Sequence, residues 1–308
     1  MKSRRPILAA VVVLIVFPAV LALAAAVSNR TRNRNNGSIV SSGVKREYLL
    51  YVPTTYDRRR PAPLVISLHG AGGWPVQQRN LSGWNALAER EGFLVVYPAG
   101  RQGTGPRVWS VEQGEGLTRD VRFISDLIGT LERSYNIDRR RIYANGISNG
   151  GGMAFVLSCT MSDQIAAIGM VAAAQTLPWN WCTDHRAVPM ISFHGTADPM
   201  IPYAGGSTWI APARFPAAAA WAARWAARNH CGSSAIEAAI KADVTRSEYT
   251  NCADDASVEL FTIRGGGHTW PGGEPMPEWF VGPTSRSIDA TRTMWDFFRA
   301  HPLRSAPP

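Results

Sequence analysis

The amino-acid sequence predicts an α/β protein with a mostly parallel sheet and helices on both of its faces. Short, continuously apolar runs such as residues 64–68 and 93–97 have the length and composition of strands that are buried on both sides. Between such runs lie segments with apolar residues at helical spacing, as at 118–135. Strands that alternate with helices build βαβ units, which give a parallel sheet covered on both faces.

The predicted elements follow one another along the chain without an internal repeat. The predicted strands are 47–52, 64–68, 93–97, 141–145, 165–171, 188–193 and 258–263. The predicted helices have their apolar positions within 81–88, 118–135, 151–157, 216–229 and 288–298. Gly92 has the position of a glycine that ends a helix. Thr118 is predicted to cap the next helix, with Asp120 in its first turn.

The chain divides into a leader, a linker and one catalytic domain. Residues 1–26 have a basic start, an apolar run and overlapping A-x-A motifs, the pattern of a cleaved signal peptide. The apolar run at 7–27 is also long enough to span a bilayer, so an N-terminal membrane anchor is the alternative. Both interpretations place the body outside the cytoplasm. The polar, basic residues 27–43 are predicted to be a disordered linker, and residues 44–303 the catalytic domain.

The formal net charge of +9 includes arginine clusters at 30–34, 58–60 and 139–141. Such clusters are typical of a solvated surface, and attraction to acidic wall polymers is the alternative. They lack interleaved aromatic residues, so we expect no nucleic-acid partner.

All four cysteines lie in the part of the chain that follows the leader. An even number of cysteines in an oxidising compartment predicts two disulfides. Four cysteines allow three pairings, and spacing alone selects none of them. The local pairs Cys159–Cys182 and Cys231–Cys252 are our hypothesis. The sequence has no CxxC and no closely spaced His–Cys pair, so we expect no metal site.

The pentapeptide Gly-Ile-Ser-Asn-Gly at 146–150 stands between a predicted strand and a predicted helix. A serine between glycines at such a junction has the form of a nucleophile elbow. The serine then adopts positive φ, which costs about 1–3 kcal/mol for a residue with a side chain. An ordinary flexible turn is the alternative, and the partner residues decide between the two.

Two further loops supply the partners that a serine nucleophile needs. Asp198 follows the strand at 188–193, and His268 follows the strand at 258–263 in a glycine-rich turn. An imidazole can take the serine proton near physiological pH, and a carboxylate fixes the tautomer of that imidazole. The order Ser, Asp, His is that of the α/β-hydrolase fold. We therefore predict Ser148 as nucleophile, Asp198 as acid and His268 as base.

Other residues of the same types are given structural roles. His69 and His194 follow strand ends and are predicted to make structural hydrogen bonds. Asp184 competes with Asp198 for the role of acid, but it precedes a strand instead of following one. Asp120 is predicted to cap its helix.

The turn His-Gly-Ala-Gly-Gly at 69–73 offers unhindered backbone amides beside the elbow. The amide of Ala71, with that of Asn149, is predicted to form an oxyanion hole, in which one donor contributes about 2.7–4 kcal/mol in the transition state. Four tryptophans in loops at the predicted catalytic edge are candidates for lining the acyl or sugar site: Trp109, Trp179, Trp181 and Trp270.

Five motifs occur in order between about residues 45 and 300. They are Tyr-Leu-Leu-Tyr-Val-Pro at 48–53, Leu-His-Gly-Ala-Gly-Gly at 68–73, Gly-Ile-Ser-Asn-Gly-Gly at 146–151, His-Gly-Thr-Ala-Asp-Pro at 194–199 and Gly-His-Thr-Trp-Pro-Gly at 267–272. Together they resemble the secreted poly(3-hydroxybutyrate) depolymerase-like esterases, a family that also holds feruloyl and acetylxylan esterases. The resemblance implies the same triad and oxyanion residues, and it supports the pairing of Cys231 with Cys252.

The sequence therefore predicts a secreted serine esterase that works through an acyl-enzyme with no metal or cofactor. The expected substrates are feruloyl or acetyl esters on polysaccharide, or short hydroxyalkanoate esters. An acyltransferase or a peptidase with the same triad is the first alternative. The second, from another class, is a catalytically inactive cell-surface binding protein.

Overall fold

The computed structural model describes residues 35–102, 104–173, 179–208 and 214–305. Ten strands in these residues join into one sheet: β1 (Gly37–Ser41), β2 (Val44–Tyr51), β3 (Ala62–Leu68), β4 (Leu94–Pro98), β5 (Ile137–Ile147), β6 (Ala167–Val171), β7 (Met190–Gly195), β8 (Ile236–Lys241), β9 (Val244–Tyr249) and β10 (Val258–Ile263). Their spatial order is β1-β2-β4-β3-β5-β6-β7-β10-β9-β8. The central strands from β4 to β10 pair in parallel, and the strands outside them pair antiparallel.

Seven helices in the described residues pack against this sheet. They are α1 (Pro75–Ser82), α2 (Trp84–Glu91), α3 (Glu115–Ser134), α4 (Asn149–Thr160), α5 (Ala218–Arg228), α6 (Glu278–Val281) and α7 (Ala290–Ala300). Apolar residues of α3, α4 and α5 form one core with one face of the sheet, and those of α1, α2 and α7 form a second core. Every residue of β3, β4 and β6 is buried, as the continuously apolar sequences predict. The predicted mostly parallel α/β sheet is confirmed.

The N-terminal hairpin corrects the predicted linker. Residues 35–43 are ordered, because β1 pairs antiparallel with β2 through a turn in which Ser42 and Gly43 have φ of 50° and 74°. Ser41 donates its hydroxyl to Asp126 Oδ2 at 2.8 Å, which fastens the hairpin to α3. An edge strand with one solvated face tolerates polar residues, so composition alone misclassified it.

The remaining part of the predicted linker and the predicted leader at 1–26 lie outside the described residues. Within the residues that the structure describes, none of the helices has the length and hydropathy needed to span a bilayer.

Two helix starts also differ from the prediction. Gly83, with φ of 66°, separates α1 from α2, where the apolar spacing predicted one helix. Helix α3 begins at Glu115, so Thr118 lies inside its first turn. Asp120 is not a cap: it is buried and lies 2.9 Å from Arg46 Nη1 in an ion pair.

The β8–β9 hairpin is an addition that the sequence pattern did not predict. It extends the sheet beyond β10, with Val258 opposite Tyr249 at the start of the antiparallel ladder. Most residues of β8 are exposed, so no apolar alternation marks it in the sequence.

Both hypothesised disulfides are present, Cys159–Cys182 and Cys231–Cys252. The first ties the end of α4 to the loop before β7, and the second ties the segment after α5 to the segment after β9. They span 23 and 21 residues, and a loop of that size corresponds to about 3 kcal/mol of stabilisation through the unfolded state.

Candidate active site

The serine elbow lies where β5 ends and α4 begins. Ser148 has φ of 55° and ψ of −125°, a conformation that costs about 1–3 kcal/mol for a residue with a side chain. Its amide donates to Val171 O of β6 at 2.9 Å, which holds the turn at the carboxyl end of the sheet. A Cβ on Gly146 would lie 2.4 Å from the carbonyl carbon of Gly150, so this tight turn requires glycine. The half-buried serine is thereby presented at the sheet edge.

Two candidate oxyanion donors lie beside this serine. A Cβ built on Gly70 would be 3.5 Å from Ser148 Cβ, so the 69–73 turn contacts the elbow. Ala71 is exposed, and its amide has no acceptor among the described residues. Asn149 is the first residue of α4, so its amide has no acceptor within the helix. Both amides are therefore available to a bound oxyanion.

Asp198 and His268 form a buried hydrogen-bonded pair. His268 Nδ1 donates to Asp198 Oδ2 at 2.9 Å, and the two residues are 3% and 6% exposed. Because an ionised carboxylate only accepts hydrogen bonds, the proton of the neutral imidazole lies on Nδ1. The other nitrogen, Nε2, is left as an acceptor for a proton.

Backbone amides orient the carboxylate of this pair. Met200 N and Ile201 N each donate to Asp198 Oδ1 at 2.8 Å. The loops after β7 and β10 are also bonded to each other, since Ala197 N donates to Gly266 O at 2.9 Å. Asp198 and His268 are thus fixed by one connected piece of backbone.

The histidine loop is held from its other side by the segment that contains α6. His268 N donates to Val281 O at 2.6 Å, and Gly267 N donates to Pro283 O at 2.8 Å. The segment 277–283 therefore lies directly against the histidine.

His69 makes the structural hydrogen bonds predicted for it. Its Nδ1 donates to Gly70 O at 2.7 Å, and its Nε2 accepts from Gly100 N at 2.9 Å. Burial lowers the pKa of His69 to about 4, which outweighs the opposite effect of the Gly70 carbonyl. The imidazole is therefore neutral at physiological pH, as these two bonds require.

His194 is structural as well. Its Nε2 donates to Ile201 O at 2.8 Å and lies 3.5 Å from Asp198 Oδ2. Burial lowers the pKa of His194, more than the nearby carboxylate raises it. The contact with Asp198 is consequently not an ion pair at neutral pH.

The competing carboxylate, Asp184, is engaged elsewhere. It forms an ion pair with Arg228 Nη2 at 2.9 Å. Among the described ranges, no group of three or more His, Cys, Asp or Glu side chains has an arrangement that could hold a metal ion.

Two of the four candidate tryptophans lie in the protein interior, contrary to the expectation. Trp109 and Trp270 are 2% and 0% exposed. Each indole N–H has a buried acceptor, His69 O at 3.1 Å and Thr291 Oγ1 at 2.9 Å respectively. A satisfied N–H allows an indole to be buried completely, so neither ring offers a face to a substrate.

The other two candidates are partly buried in an aromatic cluster. Trp179 stacks on Trp221 of α5 with ring centroids 4.6 Å apart and meets Phe155 of α4 edge-on. Trp181, two residues later, is also packed against this core. Their role in substrate binding stays a prediction.

Exposed aromatic residues that the sequence reasoning missed lie near the site: Trp74, Trp279 and Phe280, here called the aromatic rim. They are 40%, 88% and 45% exposed. Trp74 comes three residues after Ala71, and Trp279 and Phe280 lie in α6, which is bonded to the histidine loop. The sequence contained a signal for them. Trp74 directly follows the glycine-rich turn, and Trp279 and Phe280 lie in the proline-rich segment after His268.

A groove of about 310 Å³ runs between the two parts of the chain that carry the rim. Trp74, Val76 and Gln77 line one side, and Met276 and Pro277 line the other. The groove thus combines apolar surface with polar side chains.

Comparison with known proteins agrees with this fold. The family model described as "Esterase PHB depolymerase" matches residues 46–177. A bifunctional acetylxylan esterase/xylanase of Neocallimastix patriciarum is 34% identical over 52% of this chain. The matched stretch is only 22% of the length of that relative. Feruloyl esterase C of Emericella nidulans is 27% identical over 83% of this chain and 84% of its own length. An acetyl xylan esterase structure from Aspergillus awamori superposes with a TM-score of 0.61 at 14% identity, over 86% of this chain and 98% of that one.

Fold and relatives define a class: the chain has the α/β-hydrolase fold, and the relatives that it matches are named as esterases. Within that class, residues 46–177 match the model of the poly(3-hydroxybutyrate) depolymerase esterases, and longer stretches of the chain are similar to feruloyl and acetylxylan esterases.

Proposed function

We propose that the protein is a secreted serine esterase with Ser148 as nucleophile, His268 as general base and Asp198 as the carboxylate that orients it. The observation that carries the proposal is the buried Asp198–His268 hydrogen bond at the sheet edge where the strained Ser148 stands. A strained serine at a strand-to-helix turn is typical of the nucleophile elbow, and a carboxylate that fixes the tautomer of the histidine prepares it to act as the base.

The reaction follows from these groups. Ser148 Oγ attacks the ester carbonyl carbon while its proton passes to His268 Nε2. The negative oxygen of the tetrahedral intermediate accepts hydrogen bonds from the amides of Ala71 and Asn149. The intermediate collapses, and the alcohol leaves with the proton from His268. A water molecule, deprotonated by His268, then hydrolyses the acyl-enzyme and releases the acid.

For the substrate we propose an ester group carried on a polysaccharide, such as a feruloyl or acetyl ester. Relatives named as acetylxylan and feruloyl esterases support this choice. The aromatic rim supports it independently, because a single small ester does not require exposed indoles outside the catalytic centre. Short hydroxyalkanoate esters are the second candidate, supported by the matching family model.

Export from the cytoplasm is part of the proposal. The two disulfides fit an oxidising compartment, and the predicted leader would direct the chain there. A membrane tether through residues 7–27 is the alternative to release.

The proposal is tested with purified protein and p-nitrophenyl acetate and butyrate. We expect release of p-nitrophenol by the wild type and its loss in Ser148→Ala. Equal turnover by the two proteins would reject the mechanism. A panel of methyl ferulate, acetylated xylan and hydroxybutyrate oligomers on one preparation then ranks the substrates.

Transfer to an acceptor alcohol is separated from hydrolysis by product analysis with and without a sugar acceptor. We expect free acid as the main product in both cases.

A further inference from the structure

A loop on the oxyanion side of Ser148 is hydrogen-bonded to Asn149 and to Gly72, the residue that follows Ala71. This loop, residues 99–102 and 104–110, is called the Trp109 loop. Its two arms pair through Arg101 N to Val108 O at 3.0 Å and Val108 N to Arg101 O at 2.9 Å. Arg107 O accepts from Gly72 N at 2.7 Å, so the loop holds the residue next to Ala71.

His69 joins the same loop to the start of the oxyanion turn. Its Nε2 accepts from Gly100 N, and its carbonyl accepts from the Trp109 indole at 3.1 Å. The 69–73 turn is therefore bonded to the Trp109 loop at three separate points, through Gly72 N, His69 Nε2 and the carbonyl of His69.

The side chain of Asn149 makes the matching connection from the elbow. Asn149 Oδ1 accepts from Trp109 N at 2.7 Å, and Asn149 Nδ2 donates to Trp109 O at 3.1 Å. To bond with both the N–H and the C=O of one residue, a side chain needs an acceptor and a donor. A carboxamide has both, whereas an ionised carboxylate has no donor. Asn149, one candidate donor, is thus bonded through its side chain to the same loop that holds the turn of Ala71, the other candidate donor.

A buried ion pair fixes both ends of the Trp109 loop. Asp120 Oδ2 accepts from Ser110 N at 2.9 Å, and Arg46 Nη2 donates to Ala99 O at 3.1 Å. Arg46 and Asp120 lie 2.9 Å apart, are almost fully buried, and the guanidinium lies 4.0 Å from the centroid of the Phe123 ring. Each partner of the pair therefore holds one end of the loop.

We propose that the side chain of Asn149 and the Arg46–Asp120 pair are positioning residues that hold the Ala71 and Asn149 amides at the spacing an oxyanion needs. The inference rests on the proposed function of those two amides. Because the interaction with the oxyanion is strongest in the transition state, loss of positioning lowers kcat and leaves KM largely unchanged.

The test uses Asn149→Ala in the full-length protein, with Ser158→Ala as the matched control. Ser158 is buried in the same helix, and its hydroxyl donates to Phe155 O. Its backbone carbonyl accepts from Arg228 Nη2, a bond that alanine keeps. With p-nitrophenyl butyrate we expect kcat to fall about tenfold to a hundredfold in Asn149→Ala, with KM within about twofold. Ser158→Ala should keep the wild-type kcat.

The Asn149→Asp variant should give a pH-dependent change in kcat that a purely structural role of Asn149 would not produce. The ionised carboxylate repels Trp109 O, whereas the protonated acid can donate to it as the amide does. The ratio of variant to wild-type kcat should therefore rise as the pH falls from 8 to 5. Asp120→Asn, which keeps an acceptor for Ser110 N, should lower kcat less than Asn149→Ala does.

Hydrogen exchange provides a measurement that is independent of activity. Peptides covering 69–73 and 104–110 should exchange faster in Asn149→Ala than in the wild type. Unchanged exchange in both peptides, or a wild-type kcat in Asn149→Ala, would overturn the inference while leaving the esterase proposal intact. A wild type that hydrolyses no ester would instead reject the proposed function, and the exchange result would still decide whether Asn149 holds the loop.

Discussion

The two sides of Ser148 are built differently. The oxyanion flank, which comprises residues 69–73, the Trp109 loop and Asn149, consists of polar groups bonded to one another, with His69 and Trp109 buried. The histidine flank, which comprises Asp198 and residues 265–283, has one buried hydrogen bond at its centre but carries exposed aromatic residues on its outer side. Both flanks carry exposed residues, but the oxyanion flank buries its aromatic rings, whereas the histidine flank exposes Trp279 and Phe280 to solvent.

This difference separates two tasks. Donors that stabilise transition-state charge must be held rigidly, because they contribute most when no reorganisation is needed at the moment of reaction. A surface that receives a large substrate must be accessible, and exposed aromatic patches mark such surfaces. Changes in the oxyanion flank should therefore act on rate, and changes on the outer side of the histidine flank should act on binding of large substrates.

The largest expected effect comes from breaking the centre of the histidine flank. Asp198→Asn should lower kcat about 10⁴-fold without unfolding the protein, since the histidine then takes the wrong tautomer. Steady-state kinetics with p-nitrophenyl acetate measures the change. Asp184→Asn is the control, because Asp184 bonds to Arg228 and not to His268. Similar losses in the two variants would argue against a specific role for Asp198.

Because His69 of the oxyanion flank is buried, we expect the protein to lose stability in acid. The unfolded chain protonates His69 near its ordinary pKa of 6.5, whereas burial lowers the pKa in the folded state to about 4. The contribution of His69 is complete above pH 6.5 and falls as the pH drops towards 4, by on the order of 3 kcal/mol. Urea unfolding of wild type and His69→Gln across pH 4–8 measures it. A pH dependence shared by both proteins would show that His69 is not responsible.

Glu259, in the strand that leads into the histidine flank, predicts the opposite dependence of stability on pH. Burial raises the pKa of Glu259 in β10 to about 7, against the attraction of Arg246, 3.9 Å away. Because the folded pKa lies above the ordinary 4.5, this contribution is present below pH 4.5 and is lost as the pH rises through 7. Glu259→Gln should gain stability over the wild type by on the order of 1–3 kcal/mol between pH 4.5 and 7. A constant difference across that range would contradict the assignment.

The smallest effect is expected at the aromatic rim. Trp279→Ala should raise KM for acetylated xylan about threefold to tenfold, or about 0.7–1.4 kcal/mol, and leave p-nitrophenyl acetate hydrolysis unchanged. Ile236→Ala, at an exposed apolar residue of β8 far along the sheet, is the control. A rise in KM for both substrates would place Trp279 at the ester itself, and no change for either would remove the rim from the substrate site.

The sheet edge that carries Ser148, Asp198 and His268 was predictable because its signals are local. A serine between glycines, an aspartate after one strand and a histidine after another each follow an apolar run that can be read directly. The structure puts Asp198 and His268 within hydrogen-bond distance, as the strand order requires. The hypothesis of two local disulfides is confirmed, and each bond joins cysteines close in sequence.

The oxyanion flank was not predictable beyond its backbone amides. Trp109 is buried because Asn149, 40 residues away in sequence, bonds to its backbone and His69 accepts its indole N–H. Asp120 has the sequence position of a helix cap, but its partner Arg46 lies on a different element. The β1 strand was missed because its polar residues are those of an edge. These features depend on contacts between distant segments, which periodicity does not encode.

The most direct test of the account is covalent labelling of the native protein with a fluorophosphonate probe, followed by peptide mass mapping. The reagent reacts with a serine only when a base activates it and the oxyanion hole receives its oxygen. We expect one equivalent of label on the peptide that contains Ser148, and none in Ser148→Ala. Labelling at another serine, or none on folded wild-type protein, would contradict the assignment of Ser148 as the nucleophile.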